Sequence, residues 1–422
     1  MQSSKVPWCT LPEELWQMIG KYLETRIDVL RFRSVCSLWR SAIPPLHPPH
    51  SPPLPLRFPD SDDDEPSAAV SQTTVYRLQS LIAGDYSLPR LVKIEQSPPG
   101  EMRLLNPITN WKLRLSIGGI EDAVVPFFKQ FNLLDFKIVE MAKLYSLKYA
   151  STEIDVPYVN KVVVLPSDHF SLGEGFVVFM IYGGGCLGCM RYGDERWIRV
   201  DENNTNYDDL IVYKGQCYVV DEWGTIWWIS QAMQVVQYSP PLCGFGGHKH
   251  LVECGGDLHV VDRYFGSEGS MPQRRFNYIH LDGEVVDFKV YRLDEEWGTW
   301  VNVTNLGDQV IVLSYDGSFA VSTKEYPGVK ENCIMFTEQD FGPVPAEIGM
   351  GSKSRHCRVF DLADGRQATT RKIKGLKKLR REVWLLLTMF SCISRRGWRV
   401  PLMKSFVKLY CKTNAKKLVH LQ

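Results

Sequence analysis

Cys186-Leu187-Gly188-Cys189 is the one CxxC pair in the chain. Two thiolates at that spacing can hold half of a zinc ribbon or cycle as a redox disulfide, but zinc needs a second pair and none follows at ribbon spacing. Three glycines, 183–185, stand directly before it and mark a hairpin tip instead. Cys243, His248, His250 and Cys254 offer four potential ligands within a dozen residues. Their spacing fits no regular site, and Cys254 falls in an expected strand. Asp221-Glu222 and Asp294-Glu295-Glu296 resemble paired carboxylates for acid–base work, yet each precedes a Trp-Gly step, where solvated turn residues belong. No GxSxG elbow, P-loop or dinucleotide fingerprint occurs, and no histidine stands in a nucleophile context. The expectation is a non-catalytic protein with no cofactor and no metal.

The elements that would carry these residues are strands. From Val75 to about Gly365 short apolar runs alternate with glycine turns. Runs 210–213, 216–220 and 226–229 read as a three-stranded meander. Runs 251–254 and 258–261 repeat its first half, and so do 301–306 and 309–314. Asp316-Gly317 then signals a hairpin into 318–322. The turn glycines 215, 255 and 307 lie 40 and 52 residues apart, a spacing that fits propeller blades. About 290 residues at that spacing give six blades, with seven as the alternative and an open or two-sheet β domain as the runner-up. Ring closure predicts that a strand near 75–81 pairs with one near 358–362. Trp223 and Trp297 sit in matching acidic-Trp-Gly-Thr loops, either packed between blades or exposed as anchors for a protein target.

The first 45 residues are different. Thr10 and Glu13 have capping-box spacing, with Pro12 in the first turn of the helix they open. Leu15, Met18, Ile19 and Tyr22 fall on one stripe, which Leu11 and Leu23 extend. A second helix from Thr25 is apolar on all sides, and a third around Leu38–Ile43 ends at Pro44-Pro45. Three such helices bury too little surface to stand alone, so docking against another molecule is expected.

The run Leu11-Pro12-Glu13-Glu14-Leu15, then Ile19, Leu23, Leu30 to Cys36 and Trp39-Arg40-Ser41, resembles a plant-type F-box in order and spacing. The β region resembles the kelch- or propeller-like domain of unknown function (KIB-type) that accompanies it in a large plant family. Leu104-Leu105-Asn106-Pro107, Tyr192-Gly193-Asp194 with Trp197, Asp221 with Trp227, Trp300, Leu306-Gly307-Asp308, and Asn332-Cys333-Ile334 with Phe336 carry that likeness. The resemblance implies a mainly β protein with a small helical N-terminal module: F-box 8–44, Pro-rich acidic linker 45–74, propeller 75–365 and basic tail 366–422. It implies a substrate-recognition subunit of an SCF-type ubiquitin ligase, bound through a Skp-family adaptor to a cullin and through the propeller to an unidentified protein target. The alternative keeps the adaptor and omits ubiquitination, leaving a scaffold or regulator. Carried over by position, the adaptor face is Leu11, Pro12, Leu15, Ile19, Leu23, Leu30, Val35, Cys36 and Trp39.

Charge divides the chain. Residues 366–422 hold 16 Lys/Arg and one acid, a net +15, so the remainder carries −14. The tail reads as an import signal, an anionic-membrane contact, a nucleic-acid contact or an extension without function. Nucleic acid is not the expected partner. Nine prolines between 44 and 66, followed by acids at 60 and 62–65, favour extended, unpacked chain. Eleven cysteines without a regular framework, no leader-like apolar run at the N-terminus and no span-length apolar stretch point to free thiols in the nucleus or cytoplasm.

Overall fold

The computed structural model describes residues 11–23, 26–43, 54–57, 67–81, 90–96, 102–110, 136–152, 154–165, 175–204, 206–266, 274–275, 278–279, 284–314, 316–325, 329–337 and 357–369. Thr10 and the tail beyond 369 lie outside them.

Three helices come first: α1 (Glu13–Lys21), α2 (Arg26–Ser34) and α3 (Ser37–Ala42). Pro12, not Thr10, occupies the N-cap of α1 and supplies no side-chain bond, while Glu13 and Glu14 place negative charge in the first turn. Cys36 caps α3 by accepting from the Trp39 amide through Sγ.

The β region begins with β1 (Ala68–Ser80), β2 (Arg90–Gln96), β3 (Met102–Leu105) and β4 (Phe136–Tyr149), paired in the order β3-β2-β1-β4. The Tyr145–Val162 pair links β4 to a second meander, β5 (Val159–Leu165), β6 (Val177–Tyr182), β7 (Cys186–Arg191) and β8 (Ile198–Arg199). A third contains β9 (Tyr207–Tyr213), β10 (Gln216–Asp221), β11 (Ile226–Ile229) and β12 (Val235–Gln237). The fourth has β13 (His248–Cys254) and β14 (Asp257–Gly266), a small hairpin of β15 (Arg274–Arg275) and β16 (Tyr278–Ile279), then β17 (Glu284–Asp294) and β18 (Thr299–Asn302). The last holds β19 (Gln309–Ser314), β20 (Gly317–Ser322), β21 (Cys333–Thr337), β22 (Cys357–Asp361) and β23 (Gln367–Thr369), ordered β20-β19-β21-β22-β23.

These groups stand radially. β4, β5, β9, β13 and β20 line one cavity of about 530 Å³, and each lies against the next, with β20 returning to β4. An apolar core fills every gap between neighbours. Val163, Phe179 and Ile181 meet Leu210 and Val219 in one gap, and Val252, Val261 and Phe288 meet Ile311 and Phe336 in another. In the closing gap Val75 and Leu144 of the first sheet meet Val310, Val312 and Phe319 of the last. This is a β-propeller, with five radial groups among the described residues against the six estimated from length.

Three expectations give way. β1 has both edges filled, by β2 and β4, so it does not pair with the strand at 357–361. Closure uses side chains instead. Run 301–306 does not pair with 309–314; β18 completes the fourth sheet on β17, and β19 turns through Asp316 into β20. Residues 54–57 and 68–74 are not unpacked linker. Leu54 and Leu56 are buried in the first core, and Pro55 accepts a bond from the Trp197 indole at 3.1 Å. Thr73 and Thr74 belong to β1, where β-branched residues fit the pleat.

The closing joint is polar and buried. Lys93 of β2 pairs with Asp316, and both side chains are buried. Asp316 also accepts from Thr73 Oγ1 at 3.1 Å and Ser314 Oγ at 3.0 Å. Burial pushes the Asp316 carboxyl up, but the Lys93 charge and these hydrogen bonds outweigh it and hold it below its ordinary 3.8. The Asp316 carboxylate therefore contributes stability above that pH and loses it as pH falls through the lower folded-state value, while burial, only partly offset by Asp316, holds the Lys93 ammonium below its ordinary 10.5, a cost of keeping it charged. Removing one member of a buried pair strands the other charge, at about 3–5 kcal/mol. Asp316→Ala is expected to lower unfolding free energy by about that amount in urea titration. The double change Lys93→Met with Asp316→Leu should recover most of it.

Candidate functional site

α1 is apolar on two sides. Its inner side places Trp16 against Trp39 (ring centroids 4.1 Å apart) and Phe32 (6.0 Å). Leu23, Val29 and Ala42 complete this small core, with Leu11, Ile19, Val35 and Cys36 half-buried at its edge. Arg33 Nη1 ties α2 to α3 by donating to the carbonyls of Arg40 (2.9 Å) and Ile43. The outer side leaves Leu15, Met18 and Tyr22 at 40, 51 and 67% exposure, and Leu38 of α3 at 36%. The nine carried-over residues thus separate. Pro12 and Leu15 are exposed, four are half-buried, Leu23 and Trp39 are buried in the module's core, and Leu30 is buried without belonging to that core. A residue already in the core supports a docking surface from beneath. Met18 and Tyr22 belonged to the periodic stripe and Leu38 to the third helix, yet the positional carry-over omitted all three. Trp16, the pivot of the core, escaped it because i, i+3, i+4 counting followed only one of two apolar faces.

The propeller has two rims. β9 and β13 run in the same direction, since the amides of Lys249 and Leu251 donate to Asp208 and Asp209 at 2.9 Å. We call the rim at their starts the upper rim. Trp223 lies there, in the turn after β10, where the Glu222 amide donates to the Asn206 carbonyl. Trp297 lies on the lower rim, since β17 pairs Arg292 with His259 and ends beside Asp257. The two matching loops therefore face opposite ways. Both indoles are exposed, at 61 and 75%, and are not packed between blades. Their acidic neighbours are turn clamps. Asp221 is buried and accepts from the amides of Trp223 and Thr225 and from the Trp227 indole. Asp294 accepts from the amides of Glu296 and Trp297.

A third exposed aromatic joins Trp223 on the upper rim. Phe245 is 93% exposed, between Gly244 and Gly246 in the connection from β12 to β13. Buried Lys249 donates to the carbonyls of Gly244 (3.2 Å) and Gly246 (2.8 Å) and pairs with buried Asp262 at 3.0 Å. Asp262 in turn accepts from the Gly246 amide at 3.2 Å. A Cβ on Gly246 would collide with the Asp262 carboxylate. With the backbone held on both sides, the Phe245 ring has only solvent to point into. The Cys243 amide donates to the Trp223 carbonyl at 3.0 Å, locking this knuckle to the Trp223 turn. The flanking pattern Gly-Phe-Gly-Gly reads as a loop in sequence; the buried cation beneath it is four residues away and gives no local signal.

The metal and thiol candidates disperse. Cys186 and Cys189 occupy β7 after the Gly183–Gly185 turn, with Cys189 buried and its thiol pushed up by burial to about 11. Cys254 is raised likewise to about 11, and Cys243 is exposed. His248 and His250 touch edge to face at 4.5 Å, and burial, aided by His248, holds His250 well below its ordinary value, so it stays neutral. Among the described residues no group of three His, Cys, Asp or Glu gathers as a metal site. No described helix is long and apolar enough to cross a membrane.

The KIB1-4 beta-propeller family model matches residues 68–361. The chain belongs to that family. An F-box-like model matches residues 8–46, over the three helices. Among Arabidopsis thaliana relatives, F-box protein SKIP23 is 28% identical over 400 residues, covering 89% of this chain and 94% of its own. Putative F-box protein At1g65770 is 29% identical over 340 residues, covering 78% and 89%. F-box proteins with a propeller domain act in general as non-catalytic substrate adaptors of SCF ligases.

The two faces of α1 carry different expectations. Trp16→Ala should destabilise the helical module by about 3–5 kcal/mol, as for other buried aromatics, whereas Leu15→Ala should change it by less than about 0.5 kcal/mol. Hydrogen exchange of peptides spanning 11–43 reads both.

Proposed function

We propose that this chain is the substrate-recognition subunit of an SCF-type E3 ubiquitin ligase, with the helical module binding a Skp-family adaptor and the propeller binding a protein target. The observation that carries the reading is the outer face of the helices. Leu15, Met18, Tyr22 and Leu38 stand exposed on a module whose own core is complete. Large apolar groups clustered this way mark a protein interface. A Skp-family adaptor covers the patch, and the cullin follows through that adaptor. The chain contributes position, not a nucleophile or a base: ubiquitin transfer to a tethered target gains from proximity alone. For the target we assign the upper rim, where Trp223 and Phe245 stand together on a fixed loop. Trp297, on the opposite rim, belongs to a different surface. The reading places the protein in the nucleus or cytoplasm, where the ligase core operates.

Leu15→Asp puts a charge into a dry helical interface at a cost of several kcal/mol. Co-purification with the adaptor and cullin should fall at least tenfold, with melting of the propeller unchanged. Proteins that co-purify with the intact chain should accumulate on proteasome inhibition. Normal adaptor recovery by Leu15→Asp would overturn the docking face, and targets that bind without being ubiquitinated would favour the non-degradative scaffold.

A further inference from the structure

The upper rim between the second and fourth sheets is acidic as well as aromatic. Its loops, 201–206, 222–225 and 238–247, contain Asp201, Glu202 and Glu222 and no Lys, Arg or His. Glu202 is exposed and Glu222 half-buried beside Trp223. Acids beside open aromatic faces suit a segment that mixes Lys or Arg with apolar side chains, since a cation is attracted to both the carboxylate and the ring. Such a segment lies in this chain. Arg371 to Arg381 holds seven Lys/Arg, and Val383-Trp384-Leu385-Leu386-Leu387 follows directly after Glu382.

Strand register brings the start of that segment to the same rim. β23 pairs Thr369 with Arg358, β22 pairs Arg358 with Phe336, and the next carbonyl, of Thr337, accepts from Arg263 at 2.8 Å. Arg263 pairs with His248, and its carbonyl accepts from the Gly247 amide at 2.8 Å, at the foot of the Phe245 knuckle. Gln367 Nε2 also donates to the Val285 carbonyl at 2.6 Å, placing β23 against the fourth sheet, whose β14 carries the Asp262 clamp. The chain therefore leaves β23 pointing towards the upper rim. A dozen extended residues reach about 40 Å, more than enough to bring Lys372–Leu387 over Trp223 and Phe245. A path to Trp297 would have to pass around the outside of the ring.

We propose that the basic segment 371–387 of this chain docks on its own Trp223–Phe245 knuckle, Lys and Arg side chains against Glu202, Glu222 and the ring faces and Val383–Leu387 across the aromatics. The inference stands apart from ligase function, because it needs neither adaptor nor target. Its consequence is that any partner of the upper rim must first displace the tail. Release by salt or by neutralising the lysines then opens the rim.

The test uses the full-length chain with a benzophenone amino acid in place of Phe245, a position too exposed to threaten folding, and a second chain with the same probe in place of Trp297. After illumination, peptide mass spectrometry should find cross-links from position 245 into 371–387, at least tenfold above those from position 297. Mixing with isotope-labelled chains should show them within one chain. Raising salt from about 0.05 to 1 M, which shortens the screening length several-fold, should cut the yield, as should Glu202→Lys. Equal yields from the two rims, cross-links between chains, or a yield indifferent to both salt and Glu202→Lys would overturn the proposal.

Discussion

The propeller depends on closing a ring whose ends do not share a strand edge. β1 is enclosed by β2 and β4, so the last sheet must be joined to the first by side chains. The joint has an apolar part, Val75 and Leu144 against Val310 and Phe319, and a buried polar lock, Lys93 with Asp316 and Thr73. Apolar packing is non-directional and fits several alignments of two sheets. A buried charge pair fits one, because any misalignment leaves desolvated charges apart. Arg77 adds to the joint by donating to the Glu325 carbonyl at 2.7 Å. With the ring closed, the inner strands run parallel and the loops separate into two rims. That separation decides which exposed residues can act together.

The same device recurs above the ring. Lys249 and Asp262 form a second buried pair, and its hydrogen bonds hold a short backbone segment in one shape. Ordering a loop in advance lowers the entropy cost of binding on it. The backbone that presents Phe245 is therefore fixed in advance at the proposed target site, whereas the outer face of α1 is set by the packing of Trp16 against Trp39 and Phe32.

Much of this was legible in the residues. The meander at 210–229, the hairpin at Asp316-Gly317 and the glycine tip before Cys186 follow from local alternation and turn chemistry, and all stand in the structure. The F-box spacing and the propeller likeness gave the right architecture and family. What failed is non-local. Run 301–306 looked like half of a hairpin because sequence does not show that β17 offers it a free edge. Residues 68–74 were assigned to the Pro-rich acidic linker, and their membership of β1 rests on partners as distant as Tyr149 and Asp316. Phe245 gave no signal, since its display depends on Asp262, brought near by the pairing of β13 with β14. The division of α1 into a core face and an open face was visible only once Trp16 was placed.

The central claim is that the open helical face is the surface another protein covers. Hydrogen–deuterium exchange of the full-length chain, with and without saturating purified Skp-family adaptor, tests it most directly. The account predicts slowed exchange in peptides spanning 13–22 and 37–43 and none across β9–β14. Identical exchange in the helices with and without adaptor, or protection confined to the propeller, would contradict it.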